Sequence, residues 1–111
     1  MLALLMGVKS MSCHEVQALP PEQRACVFDV NDGSRWSLAR VPGARNLDPS
    51  GFTRDELPAD TDALLVFYCS NPMCRKAPTA ARRAKAMGYS NVRIMAAGIQ
   101  GWRAANLPVE P

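Results

Sequence analysis

The chain is poor in the residues that metal and cofactor chemistry demands. It has one histidine, His14, directly after Cys13, and its four cysteines (Cys13, Cys26, Cys69 and Cys74) include no C-x-x-C pair. A zinc site needs paired ligands at short spacing, so neither a metal centre nor a cofactor is expected. The same spacings do not form the disulfide framework of a small secreted protein. Aromatic residues make up 6% of the chain and no basic run is dense, which argues against nucleic-acid binding. No stretch is long and apolar enough to span a bilayer. The opening run Met1 to Met6 is too short for a signal-peptide core and lacks a basic flank, so a truncated signal is the lesser reading. Residues 1–9 read as an N-terminal tail or first strand, and a cytoplasmic location is the default. With 111 residues in all, there is room for one domain, residues 10–111, for which a monomer is the default.

Acidic residues are scarce in the second part of the chain. Residues 1–68 carry six Lys/Arg and nine Asp/Glu, whereas residues 69–111 carry seven Lys/Arg and only Glu110. The first part is therefore acidic (−3) and the second basic (+6). A solvated helix face accounts for Arg82, Arg83 and Lys85. The sharper reading is a positive field that draws small anions toward the residues following Cys69.

Apolar runs alternate with helical patterns. Ser12 and Glu15 form a capping box for a helix over Cys13–Leu19, which Pro20 and Pro21 stop. Ala25–Val30 reads as a buried strand, with Cys26 a small buried hydrophobe. Short helical stretches are expected over Arg35–Ala39 and Phe52–Leu57, and a second buried strand over Leu64–Cys69. Ala77, Ala80, Ala81, Ala84 and Met87 recur at helical spacing. Pro78, tolerable only in a first turn, starts that helix near Lys76 or Ala77, and Gly88 stops it. Val92–Met95 makes another strand and Gly98 opens a last helix. The pattern predicts an α/β fold with a mostly parallel sheet.

In such sheets ligands bind beyond the carboxyl ends of the strands. Cys69 stands at one such end, and Ser70, Asn71, Pro72, Met73, Cys74, Arg75 and Lys76 lead from it into the alanine-rich helix. A helix N-terminus and two nearby cations each favour a thiolate, so Cys69 is expected to be an ionised nucleophile above a nest of N–H groups.

Val27-Phe28-Asp29-Val30, Val41-Pro42-Gly43-Ala44-Arg45-Asn46, Val66-Phe67-Tyr68-Cys69, Met87-Gly88-Tyr89-Ser90-Asn91-Val92 and Gly98-Ile99-Gln100-Gly101-Trp102 occur in the order and spacing of a single-domain rhodanese-like protein. The resemblance runs from about Ser10 onward. It implies a five-stranded parallel sheet flanked by helices on both faces, and a sulfurtransferase carrying sulfane sulfur as a persulfide on Cys69. The sulfur would come from a thiosulfate-like anion or protein persulfide and pass to a thiol or cyanide. Asp29 matches an aspartate expected to hold loops near the site. Ala39-Arg40 stand where the family has Gly-His, a structural position. The loop itself departs further: Ser70 follows the cysteine, glycine is absent, and Cys74 replaces the usual closing arginine, as in a subset of the family with a second loop cysteine.

Ser70, Asn71, Met73, Cys74, Arg75 and Lys76 are the candidate substrate-binding residues. Cys74 has three readings: packing under the loop, a reversible disulfide with Cys69, or acceptance and relay of its sulfur. The spacing from Cys69 to Arg75 also matches the C-x5-R of cysteine phosphatases and arsenate reductases, some of which share this fold. Against that stand the lack of a histidine before Cys69, the lack of loop glycine, and Pro72, which removes an N–H. A non-catalytic sulfur-binding or redox-sensing module is the third alternative.

Overall fold

Ser12 organises the start of the first helix. Its hydroxyl accepts the Glu15 N–H at 3.1 Å, and the Glu15 carboxylate accepts the Ser12 N–H at 2.8 Å, so two orphan donors are satisfied reciprocally. The computed structural model describes residues 7–111, and this helix, α1 (Cys13–Gln17), follows a two-residue strand, β1 (Lys9–Ser10). Most of the expected N-terminal segment lies outside the described residues. Val8, however, is buried in the core and Lys9 is in the sheet, so the folded unit begins before residue 10.

Pro20 and Pro21 end α1 and also begin a helix that the sequence reading lacks, α2 (Pro21–Arg24). Proline at the first helical position has no N–H to leave unpaired and its φ is already helical, so the residue read as a stop is also a start. Next come β2 (Val27–Asp29), α3 (Gly33–Leu38), β3 (Arg45–Asn46) and a 3-10 turn at Arg54–Glu56 in place of the expected Phe52–Leu57 helix. The chain continues through β4 (Leu65–Tyr68), α4 (Lys76–Ala86), β5 (Val92–Ile94) and α5 (Gly98–Ala104).

The sheet has five strands in the order β1-β5-β4-β2-β3, and every neighbouring pair is parallel. Central β4 is buried on both sides, which its unbroken apolar run requires. Its side chains alternate: Leu65, Phe67 and then Cys69 join one core with the alanines of α4, while Val66 and Tyr68 join the other with Val16 of α1 and Trp102 of α5. Helices therefore cover both faces. The small side chains of Ala77, Ala80, Ala81 and Ala84 are buried and hold α4 close to the sheet. At its end the Tyr89 N–H reaches the Ala84 carbonyl and the Gly88 N–H that of Lys85, with Gly88 at φ +104°, a Schellman-type stop.

Candidate active site

The strand alternation directs the Cys69 side chain toward α4. Two further interactions hold its peptide: the N–H groups of Ile99 and Gln100, in the first turn of α5, donate to the carbonyls of Cys69 and Ser70 at 2.9 and 3.0 Å. The loop then folds inward. Asn71 accepts the Met73 N–H through its side chain at 2.9 Å and the Cys74 N–H through its carbonyl at 3.2 Å. This turn returns Cys74 to the sheet, where it packs against the same core as Cys69.

The two thiols share one small cavity, bordered also by Asn71, Pro72, Ala77 and Met95. It leaves room beside the sulfurs for about one water-sized atom. Backbone donors converge there. The amides of Ala77 and Ser70 act on the Cys69 sulfur, those of Lys76 and Ser70 on the Cys74 sulfur, and the two thiols act on each other.

The thiolate expected at Cys69 is overturned. The side chain is 3% exposed. Burial, reinforced by the neighbouring Cys74, pushes its thiol up to about 12, against the opposing pull of the Ala77 and Ser70 amides. The local argument from the helix terminus omitted the desolvation imposed by strands distant in sequence. Cys74 behaves oppositely. Burial raises it, but the Cys69 thiol, the Lys76 and Ser70 amides and the Lys76 charge together bring it below an ordinary cysteine. The opposite directions of the two shifts favour the negative charge on Cys74 over Cys69.

Of the expected binding residues, Asn71 and Cys74 border the cavity, and the Ser70 amide acts on both sulfurs. Met73 is 83% exposed. Arg75 and Lys76 are also exposed, because the buried side of α4 is its alanine and proline face, and neither side chain borders the cavity. Lys76 instead lines a separate cleft with Asn31, Asp32, Asn46 and Asp48. The expected cluster of cations at the thiol is thus corrected: α4 supplies amides there and turns its charges outward.

Sequence reasoning passed over Asn31, Tyr68 as a polar group, and Gly98 as a close contact. The Ser70 hydroxyl donates to Asn31 Oδ1 at 2.7 Å, and Asn31 donates to Asp29 Oδ1 through its amide group and its backbone N–H, both at 2.9 Å. Tyr68 donates to Asp29 Oδ2 at 2.8 Å and accepts the Val41 N–H at 3.1 Å. Asp29 is fully buried, and burial pushes its carboxyl above the usual carboxylate range against the opposing pull of these hydrogen bonds. Gly98, at φ +68°, lies where an added Cβ would sit 2.6 Å from the Ser70 carbonyl carbon and oxygen. The available signals were an Asx pattern two residues beyond a strand-end aspartate and a glycine at a strand-to-helix corner. Among the described residues, no three His, Cys, Asp or Glu side chains gather as a ligand set for a metal, and no helix is long and apolar enough to cross a membrane.

Known proteins resemble this chain in sequence and in fold. The thiosulfate sulfurtransferase GlpE of Haemophilus influenzae (strain PittEE) is 29% identical over 89 residues, covering 80% of this chain and 83% of that relative. The BH2092 protein of Bacillus halodurans superposes with a TM-score of 0.79 at 20% identity, over 98% of this chain and 81% of that one. The human single-domain sulfurtransferase TSTD1 gives a TM-score of 0.69 at 22% identity, over 88% and 97% of the two chains. The family model described as the rhodanese-like domain matches residues 12–105. With its parallel sheet and its cysteine at the end of the central strand, this chain belongs to the rhodanese-like domain family.

Proposed function

We propose that the chain is a sulfurtransferase that carries one sulfane sulfur as a persulfide on Cys69. The donor is a thiosulfate-like anion or a protein persulfide, and the acceptor is a thiol or cyanide. One observation carries the reading: the Cys69 sulfur lies at the end of β4 against the Ala77 and Ser70 amides, beside a space for about one atom. Amides so placed stabilise the negative charge of a terminal persulfide sulfur. The name of the GlpE relative supports the same chemistry.

Burial requires a proton acceptor for Cys69, and Cys74 is in hydrogen-bond contact with it. Transfer of the Cys69 proton to the Cys74 thiolate leaves a nucleophilic sulfur on Cys69 and a donor beside it. The small anion loses its hydration on reaching the cavity, and the Asn71–Pro72 edge must yield to admit it. Arg75 does not border the cavity, so the C-x5-R reading loses the clamp that would grip a tetrahedral oxyanion.

The test is incubation of the reduced chain with thiosulfate, followed by intact-mass analysis. One added sulfur, mapped to Cys69 and removed by cyanide as thiocyanate, is the expected result. Absence of uptake, or equal thiocyanate production by Cys69→Ser, overturns the reading.

A further inference from the structure

The loop presents a second sulfur to the first. Cys74 does not simply pack: it meets Cys69 side chain to side chain, borders the same cavity, and takes up amide donors of the same turn. All four cysteines, this pair included, are free thiols. We propose that Cys74 is a second catalytic thiol, which attacks Cys69 once it is loaded with sulfur and expels hydrosulfide by closing a Cys69–Cys74 disulfide. This rests on the sulfur-carrying reading of Cys69.

The Cys69 thiolate takes the outer sulfur of thiosulfate and sulfite leaves with the bonding pair. Cys74, which holds the proton taken from Cys69, passes it to the outer sulfur as its own Sγ attacks Cys69 Sγ; the bond from Cys69 Sγ to the outer sulfur breaks, and that sulfur departs as hydrosulfide with the bonding pair. The two cysteines are oxidised together to a disulfide. A dithiol reductant reopens it and is itself oxidised to a disulfide.

Two features select the inner sulfur as the point of attack. Cys74 lies beside Cys69 on the cavity they share, so its sulfur is placed to reach Cys69 Sγ, whereas the outer sulfur would fill the remaining space. Attack on the outer sulfur, a relay, would expel the Cys69 thiolate, which its burial makes a poor leaving group; hydrosulfide, the anion of an acid stronger than an ordinary cysteine, leaves more readily.

The experiment uses the reduced full chain, freed of reductant and kept under argon, with thiosulfate as donor and no added thiol. Sulfite, sulfide and intact mass are followed together. The wild-type chain is expected to release one sulfite and one sulfide per chain, lose two hydrogens, and stop until dithiothreitol is added. Cys74→Ser and Cys74→Ala, checked for folding by circular dichroism, are expected to load more slowly for want of the proton acceptor, to lose thiol-independent sulfide release, and to hold the sulfur they do take up on Cys69. Retention of that sulfur by the wild-type chain, or its recovery on Cys74, overturns the proposal while leaving Cys69 as a carrier. Absence of sulfite release from every protein overturns the carrier reading itself, and this inference with it.

Discussion

The Ser70 hydroxyl donates to Asn31 Oδ1 at 2.7 Å across 39 positions of sequence. That bond is one end of a buried chain. It continues through Asn31 to Asp29, from Asp29 to the Tyr68 hydroxyl, and from there to the Val41 backbone on the opposite side of the sheet. The loop that carries Cys69 is thus tied to two strand ends by side chains as well as by its own backbone. The Ser70 amide acts on both sulfurs, so holding its hydroxyl also holds that amide in place.

Asn31→Ala is expected to remove the Ser70 partner and one of the donors to buried Asp29, the side-chain amide. A buried polar group left unpaired costs about 1–3 kcal/mol. The loss of stability should fall in that range by urea unfolding. Sulfur uptake from thiosulfate should slow more than the fraction unfolded explains, because the Ser70 amide is no longer aimed.

Tyr68→Phe tests the other end. It leaves the Val41 N–H and Asp29 Oδ2 without this partner inside the core, a loss expected to be about 2–4 kcal/mol at neutral pH. The pH dependence has a definite sign. Burial already raises Asp29, and the Tyr68 bond is among the contacts restraining that rise. Without the bond the carboxylate form becomes harder to keep, so the penalty is full where Asp29 is ionised and shrinks as pH falls and it protonates. Unfolding curves of both proteins between neutral and mildly acidic pH measure the convergence. A constant difference across that range would show that the hydroxyl does not act through Asp29.

The locally encoded parts of this fold are legible in the sequence, and the parts made by strand register are not. The Ser12–Glu15 box, the buried run ending in Phe67 and Tyr68, and the alanine face of α4 each depend on neighbours within a few residues. Pro21 misleads because proline breaks a helix in its interior and starts one at its first position. The Asn31–Ser70 bond exists only because β2 and β4 pair with Asp29 opposite Tyr68, which no local pattern states. The acidity of Cys69 fails for a similar reason: a helix terminus and adjacent cations are visible in sequence, whereas the depth of burial depends on strands and helices that arrive from elsewhere.

Gly98→Ala and Gly88→Ala form a matched pair. Both glycines have positive φ, +68° and +104°, but an added Cβ at Gly88 meets nothing within 4 Å, whereas at Gly98 it meets the Ser70 carbonyl at 2.6 Å. Backbone strain alone should cost the Gly88 variant about 1–2 kcal/mol and leave sulfur uptake intact. The Gly98 variant adds a clash with backbone that cannot rotate away. It should be the less stable of the two and, in the fraction that remains folded, lose uptake at Cys69, since α5 can no longer hold the Cys69 and Ser70 carbonyls.

Alkylation will separate the two thiols by pH. The thiolate is the reactive form, so labelling by iodoacetamide follows ionisation. Cys74 lies below the ordinary cysteine value of 9.0 and is partly exposed, so its labelling should rise at a lower pH than that of a cysteine in the unfolded chain. Cys69, raised to about 12 and buried, should stay unlabelled through the same range. Peptide mapping after short pulses at a series of pH values reads both sites at once. Once Cys74 is alkylated its sulfur no longer accepts the Cys69 proton, and thiosulfate uptake at Cys69 should fall with it. Labelling of Cys69 before Cys74 would place the negative charge of the pair on Cys69 and remove Cys74 as its proton acceptor.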